Sequence, residues 1–393
     1  MNILLLTDNL LGVIGGTNDY VKNILKYIQN TDNNIVFIYP STIDKSLHRT
    51  DNIIYYPIKI DSSLKYRDML DIYMHIINTK LEQILSEYNI EIFHLLSGFL
   101  IIDKIDFNML EKYNIKSFVT IHNIPPKECS KSWYGDNLFL FSFDQMRKVF
   151  INLRSYYILN KCRYTAFIVN SDYVAEILNK YRKKSIENTY IIKLGTNKQY
   201  HNNYCKYIQN NKIHILTVGG IVPHKNQLLI AKAGKLLKMR GINYEWKIIG
   251  PIRNYRYYNR VINYIKENNL DQNITLVTKA DDLYIDQSYQ SANIYVQPSK
   301  EEGFCIAALD AAMYGIPIIG TDVGEIANLV NMTNGILVKT NEEDIVKAVE
   351  KIIKRANING DYKNALSREY SWQTNVNNLM RLYQNSLSET TDK

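Results

Sequence analysis

The chain has 393 residues, enough for two ordinary domains, with 46% hydrophobic and 22% charged residues and a formal net charge of +8. No run of about 18 apolar residues occurs, so a membrane span is not expected. The four cysteines, Cys129, Cys162, Cys205 and Cys305, are scattered with no CxxC pair, which argues against a zinc site or a disulfide framework and suits a reducing cytoplasm. The positive charge admits anionic partners such as nucleotides, phosphates or acidic lipid, although the chain is rich in Asn, Ile, Lys and Tyr throughout, and that bias alone supplies much of the lysine.

The opening MNILLLTDNLLGVIGG is not expected to be a signal peptide, because it lacks a basic leading region and Asp8 interrupts its apolar run. It reads instead as a strand over residues 2–7 and a loop through Gly12, Gly15 and Gly16. A helix with apolar spacing at Val21, Ile24, Leu25 and Ile28 follows. NNIVFIYP, NIIYYPI, IEIFHLL, IKSFVTIHNIP and YTAFIVNS are further strands, and DMLDIYMHIINTKLEQILSEY and DYVAEILNKYR are helices. A polar, weakly periodic stretch near 195–210 marks a boundary, after which the pattern restarts. KIHILTVGG, YEWKIIG, NITLVTK and ANIYVQPS are strands; NQLLIAKAGKLLKMRG, YYNRVINYIKENN, FCIAALDAAMYG and EEDIVKAVEKIIKR are helices. Strands alternating with helices predict two α/β halves with largely parallel sheets. Ligands of such folds sit beyond the carboxyl ends of the strands, and two halves imply a cleft.

EEGFCIAALDAAMYGIPIIGTDVG, from Glu301 to Gly324, carries the strongest chemical signal. It follows the strand ending at Pro298–Ser299, and the predicted helix begins near Gly303 or Phe304. The first-turn amides of that helix lack internal partners and favour an anion. Glu302 precedes the helix, and Asp310 lies about 12 Å further along the helical rise, a separation that suits a long ligand with hydroxyls on either side of a phosphate. A solvated Glu302 and a merely marginal Asp310 would satisfy the same spacing. In TVGGIVPHKNQ, Lys225 follows Gly219–Gly220 at a strand end and is a candidate phosphate ligand. His122 ends the strand of VTIHNIPP, where it could donate to a ligand. Gly15–Gly16 do not fit GxGxxG spacing. GxxxxGK[ST], HExxH and GxSxG are also missing, and a metal-independent mechanism is expected.

Together these pieces resemble the family 4 retaining glycosyltransferases, which have the GT-B fold of two Rossmann-like domains facing each other across a cleft. The resemblance runs from GVIGG to YSWQTNVNNLMRLY and is most specific in PSKEEGFCIAALDAAMYGIPIIGTDVGE. There Glu302 takes the first place of a glutamate–seven residues–glutamate element, and Asp310 replaces the second glutamate. The resemblance implies an acceptor domain over 1–200, a nucleotide-sugar domain over 201–370, and, over 371–393, a C-terminal helix that crosses back to the first domain and a short tail. It implies that Glu302 meets the donor sugar, that Lys225 binds the diphosphate, and that His122 binds the donor sugar or phosphate side from the first domain and, with Lys225 and the helix amides, stabilises charge growing on the leaving group. Gly303, Phe304, Cys305 and Ile306 would offer amides to the diphosphate or sugar, and Asp310 would bind the ribose. Gly15 and Gly16 would line the loop beside donor and acceptor. Members of the family often carry arginine where this chain has Gly220, so Lys225 would bear more of the phosphate charge, with His224 or Arg253 as possible helpers.

The reaction implied is transfer of a sugar from a nucleotide diphosphate sugar, UDP- or GDP-linked, to an acceptor hydroxyl, without a cofactor, in glycan, cell-surface polysaccharide or glycolipid synthesis. Residues 137–164 set Arg147, Lys148, Arg154, Lys161 and Arg163 against Asp144, with Phe and Tyr interspersed. This is either a peripheral docking surface for anionic membrane or a core helix with a basic edge. The alternatives are a sugar-nucleotide epimerase of the same fold and a non-catalytic sugar-nucleotide-binding protein. Nucleic-acid binding is not expected, since no finger, helix-turn-helix or aromatic RNA-binding pattern is present. Base, sugar, acceptor and oligomeric state stay open.

Overall fold

A computed structural model describes residues 1–10, 15–124, 138–182, 188–200, 212–355 and 362–388, without the side chains of 138–145, 147, 148 and 363. The chain divides into two compact units. One comprises Met1–Glu128, Phe143–Gly195 and Ser371–Lys393; the second comprises Cys129–Ser142 and Thr196–Tyr370.

The first unit holds strands β1 (Asn2–Leu6), β2 (Asn34–Ser41), β3 (His48–Thr50), β4 (Ile53–Lys59), β5 (Ile92–Leu95), β6 (Lys116–Ile121), β7 (Ala166–Val169) and β8 (Thr189–Ile191). They form one sheet in the order β3-β4-β2-β1-β5-β6-β7-β8, parallel except for β3. Helices α1 (Gly16–Ile28), α2 (Tyr66–Glu87), α3 (Phe107–Lys112), α4 (Leu138–Lys161) and α5 (Asp172–Tyr181) connect the strands. Ile3 to Leu6 are almost wholly buried, as the centre of a parallel sheet covered on both faces requires. Chain direction across the sheet reverses between β1 and β5, so the switch point lies above Leu6 and Leu95.

The second unit holds β9 (Ile213–Val218), β10 (Tyr244–Ile249), β11 (Ile274–Val277), β12 (Ile294–Gln297), β13 (Ile318–Gly320) and β14 (Ile336–Leu337). Their order is β11-β10-β9-β12-β13-β14, all parallel. The helices are α6 (Gln227–Met239), α7 (Tyr255–Glu267), α8 (Asp282–Ser291), α9 (Ile306–Met313), α10 (Ile326–Met332), α11 (Glu342–Ile353) and α12 (Lys363–Glu369). Polar caps start several of them: the side chains of Asn254, Asp281 and Asn341 accept from the amides of Tyr257, Tyr284 and Asp344. Here the switch point lies between β9 and β12, above Val218 and Gln297.

The last helix, α13 (Trp372–Ser388), belongs to the first unit. Its Tyr383 hydroxyl lies 2.5 Å from His94 Nδ1 on β5, and the Tyr383 ring packs on Phe118 of β6 at 4.9 Å. His94 Nε2 reaches Thr120 Oγ1 at 2.8 Å. Burial drives the His94 imidazole down to about 3, with the neighbouring His122 adding to the effect. The chain leaves the first unit after Gly195, five residues before the boundary at 200, and returns after Tyr370. Gly195 is required where it stands: a Cβ there would lie 2.3 Å from the Trp372 amide nitrogen.

Candidate active site

β9 is followed by Gly219–Gly220, and the short turn Pro223–Lys225 delivers Lys225 to the β9–β12 switch point. The Lys225 stem lies over Gly219, its Cδ, Cε and Nζ 3.7–3.8 Å from where a Gly219 Cβ would stand. Gly219 itself has φ +155, a backbone that L side chains rarely adopt. On the other side of the switch point β12 leads into Pro298–Ser299 and then Glu302. Lys225 Nζ donates to Glu302 Oε1 at 2.6 Å, and both side chains are largely buried, 18% and 8% exposed.

The pair does not stand alone. Ser299 Oγ donates to Glu302 Oε1 at 2.7 Å, Gln297 Nε2 donates to Ser299 Oγ at 2.7 Å, and Tyr295 OH donates to Gln297 Oε1 at 2.8 Å. Tyr295, Gln297, Ser299 and Glu302 thus form one relay along the end of β12, which fixes the carboxylate's rotamer. The three hydrogen bonds to Glu302, from Lys225, Ser299 and Gln297, all land on Oε1. That leaves Oε2 to accept from a ligand hydroxyl. Burial works to depress the Lys225 ammonium, but Glu302, with a smaller contribution from Cys305, holds it above its ordinary value. A cation is therefore kept charged at a place where water is scarce.

α9 begins at Ile306, three residues later than the glycine suggested. Cys305 takes a left-handed backbone, φ 84 and ψ 69, and turns Gly303–Phe304 out of the helix. Gly303 to Cys305 therefore form a turn, and the first helical amides are those of Ile306 and Ala307. Phe304 and Cys305 are buried, and burial pushes the Cys305 thiol up to about 12, with Glu302 the next contributor. The turn is held from below by Gly324, φ +61. A Cβ at Gly324 would lie 2.8 Å from Glu302 Cβ and 2.8 Å from the Phe304 carbonyl oxygen. Phe304 O also accepts from the Glu325 amide at 2.8 Å. Asp310, one turn into α9, accepts from Thr196 Oγ1 at 2.9 Å.

Gly220 adjoins Gly219, and the space a Gly220 side chain would use is taken by Arg253, whose Cγ is 3.1 Å from that Cβ position. Arg253 N donates to Ile221 O at 3.3 Å, which fixes the backbone of the loop. His224 contributes its carbonyl to the Lys300 amide at 2.8 Å, and burial lowers its imidazole.

Lys225, Gly220, Glu302, Gly303, Phe304, Cys305, Ile306 and Asp310 all lie in the second unit; His122, Gly15 and Gly16 lie in the first. Gly15 is the N-cap of α1 and accepts from the Asp19 amide at 3.0 Å; Gly16 is the helix's first residue. His122 sits just past β6. Its Nε2 faces the Leu96 carbonyl at 2.9 Å, so that nitrogen carries the proton, and Nδ1 accepts from Asn170 Nδ2 at 3.0 Å. Burial lowers the ring to about 4, and Tyr20 packs edge-on at 4.5 Å. Both nitrogens are occupied and the ring is neutral, so the charge-stabilising task expected of His122 has no free N–H in this arrangement. Neither the Ser299–Gln297 relay nor the Cys305 turn was anticipated; the unusual Gln297 at the end of an apolar strand was the available signal.

Residues 206–368 match the family described as glycosyl transferases group 1. The GT-B fold follows from solved structures. Sucrose-phosphate synthase from Thermosynechococcus elongatus superposes with a TM-score of 0.74 at 17% identity, covering 99% of each chain. HepE of Anabaena, in complex with UDP and glucose, gives 0.69 at 14% identity, over 98% of this chain and 100% of the other. In sequence, the capsular polysaccharide biosynthesis glycosyltransferase CapM of Staphylococcus aureus is 24% identical over 213 residues, 50% of this chain and 52% of CapM. The chain spans about half the length of the curated relatives it matches. Among the described residues no group of three or more His, Cys, Asp or Glu side chains is placed to hold a metal, and no helix is long and apolar enough to cross a membrane.

Proposed function

We propose that the protein is a retaining glycosyltransferase of the family 4 type, moving a sugar from a nucleotide diphosphate sugar to an acceptor hydroxyl in polysaccharide or glycolipid synthesis. The observation that carries this is the Lys225–Glu302 pair at the switch point of a unit matching glycosyl transferases group 1. CapM, by its name, serves capsular polysaccharide synthesis, and HepE binds UDP. A UDP-sugar is accordingly the first donor to test, before a GDP-sugar.

The chemistry asked of this chain is charge stabilisation. The bond from the anomeric carbon to the phosphate oxygen breaks, and a bond to the acceptor oxygen forms on the same face. The acceptor proton passes to the departing phosphate oxygen. Negative charge grows on the diphosphate, and Lys225 with the amides of Ile306 and Ala307 answers it. Preorganised donors of this kind in a dry site commonly carry the largest catalytic term. Arg253, over Gly220, is the second cation for the diphosphate. Glu302 holds Lys225 through Oε1 and takes a donor-sugar hydroxyl on Oε2. Asp310 takes a ribose hydroxyl beside Thr196. His122 acts by position, its ring fixed by Leu96 and Asn170, and Gly15–Gly16 let a ligand approach the start of α1. No step requires a metal.

The acceptor is membrane-bound in this reading. α4 exposes Met146, Val149, Phe150, Leu153 and Tyr157, each at least 59% exposed, at the spacing of one helical face. Arg154 and Lys161 lie on the same helix, whereas Asp144, Arg147 and Lys148 fall outside the described side chains. Arg163 is paired with Glu111 at 2.9 Å. An apolar stripe edged by cations suits the interface of an anionic leaflet, such as the cytoplasmic face. Flotation with liposomes of anionic lipid should carry the protein and fail for Phe150→Glu; equal flotation with neutral lipid, or none, rejects the docking.

The test of function is a panel of UDP- and GDP-sugars in thermal melting, followed by transfer assays with the best stabiliser, since a ligand of the folded state raises apparent stability. Release of nucleotide with retained anomeric configuration in the product supports the proposal. Conversion of the free nucleotide sugar to an epimer without acceptor would replace it, and tight binding with no turnover would reduce it to a binding protein.

A further inference from the structure

The first unit has a switch point of its own, between β1 and β5, and a cavity of about 240 Å³ opens there. It lies at the carboxyl ends of β1, β5 and β6, where open α/β sheets bind ligands. Its polar lining includes Asp8 and Asn9 after β1, Ser97 after β5, and His122 after β6.

Asp8 is 7% exposed. Its Oδ1 accepts from Ser97 Oγ at 3.0 Å, and its Oδ2 accepts from Tyr66 OH at 3.3 Å. Ser97 spends its single proton on Asp8, so the 2.8 Å contact between Thr7 Oγ1 and Ser97 Oγ is donated by Thr7. Thr7 in turn accepts from the Asn9 amide at 3.1 Å. This relay joins β1 to β5 across the switch point and holds a carboxylate in a place from which a chain without a use for it would exclude one. A carboxylate has about four acceptor directions, and two side-chain donors leave capacity facing the cavity. Asn9 adds an independent sign: its Nδ2 is buried and, among the described residues, has no hydrogen-bond partner. A buried donor left unmet is costly, and Asn9 lines this cavity, so a turn of its side chain would bring that donor to a ligand held there.

The charge of the lining is as informative as its polarity. Among the described lining residues there is no Lys or Arg. His122 is held neutral by burial. Burial raises the Asp8 carboxyl, with Ser97 and then Tyr66 pulling it back. A phosphate or carboxylate entering would meet Asp8 with no cation to answer it, whereas a hydroxyl can give its proton to Asp8 and take one from Asn9.

Resting on the glycosyl-transfer reading above, we infer that this cavity receives a neutral, hydroxyl-bearing part of the acceptor, such as a sugar ring or polyol without phosphate or carboxylate, anchored by Asp8 and Asn9. The cavity then sets acceptor class, and it rejects acceptors phosphorylated on the group that enters it.

The experiment is saturation-transfer NMR on the full-length protein with saturating UDP or GDP, whichever binds. The probes are glucose, galactose, mannose and N-acetylglucosamine, each against its 6-phosphate. At least one neutral sugar should bind tenfold or more tighter than its phosphate. Asp8→Ala and the near-isosteric Asp8→Asn should weaken that sugar tenfold or more while nucleotide affinity stays within about twofold, which also shows that the variants fold. Asn9→Lys should narrow or reverse the preference by admitting the phosphate. Neutral-sugar binding indifferent to Asp8, phosphates bound as well as neutral sugars, or no sugar bound by a protein that binds nucleotide would each overturn the inference while leaving the transferase reading intact. Failure to bind any nucleotide would instead remove that reading.

Discussion

Replacing Lys225 separates the two tasks assigned to it. In the free protein it neutralises Glu302, whose side chain is only 8% exposed. Lys225→Met leaves that carboxylate buried with the Ser299 hydroxyl and the longer Gln297 contact at 3.4 Å. Removing one partner of such a pair costs about 3–5 kcal/mol; with two hydrogen bonds retained, about 3 kcal/mol is the working figure. Spread over a unit of this size that lowers the Tm by roughly 6–12 °C. Glu302→Gln in the same protein removes the stranded charge, and the double variant should regain most of the lost stability. Turnover should behave differently. If the ammonium stabilises the leaving diphosphate, its loss costs about 2.7–4 kcal/mol of barrier, or 10²–10³ in kcat, and neutralising Glu302 cannot restore it. The assays are a double-mutant cycle by thermal melting and kcat at saturating donor for all four proteins. A Lys225→Met variant within a few-fold of the parent kcat, or a double variant that regains turnover together with Tm, would refute the leaving-group role.

Gly324→Ala should lower stability by about 1–3 kcal/mol and weaken donor binding, since the new Cβ meets Glu302 Cβ and the Phe304 carbonyl; melting and donor titration read both. Arg253→Ala should weaken nucleotide binding about tenfold, the worth of one charge-assisted contact, and adding Gly220→Arg to it should recover most of the loss, because removing the Arg253 stem frees the space over Gly220; isothermal titration decides. The buried imidazoles make the first unit acid-sensitive. His94 and His122 titrate near 6.5 when unfolded but at about 3 and about 4 when folded, so the unfolded chain binds more protons between those values. Their contribution is whole above pH 6.5 and is lost as pH falls toward 4 and 3. Between pH 7.5 and 5.5 each should cost about 1 kcal/mol, seen as a falling Tm that His94→Gln flattens.

The alternation of apolar strands with helices was legible because both sheets, apart from the exposed antiparallel β3, are parallel and largely covered by helices, which writes most strands as short apolar runs. Glu302, Lys225 and the glycines were legible as positions because they follow such runs directly. Their arrangement was not. The Lys225–Glu302 contact closes over 77 residues, and the Cys305 turn depends on Gly324 packing beneath it, so local spacing alone put the start of α9 two or three residues early. His122 looked like a free donor because Leu96 and Asn170, which occupy it, are 26 and 48 residues away in the chain. Asp8 stood in plain view as a charge at the end of LLLT, but its meaning required Ser97 and Tyr66 beside it. The exit from the first unit at Gly195 falls at the start of the polar stretch near 195–210; what no local pattern shows is the Trp372 backbone packed against Gly195.

Tyr383 reaches the centre of a sheet whose other parts lie before residue 196. During synthesis, therefore, the earlier half emerges with the bed for α13 uncovered: His94, Phe118 and Tyr20 must wait until the whole intervening unit has left the ribosome. That order makes the later unit the first to reach a finished state. A fragment ending at Gly195 would display an apolar trough in place of a closed surface, inviting chaperones or aggregation, whereas supplying α13 as a separate peptide should rescue it.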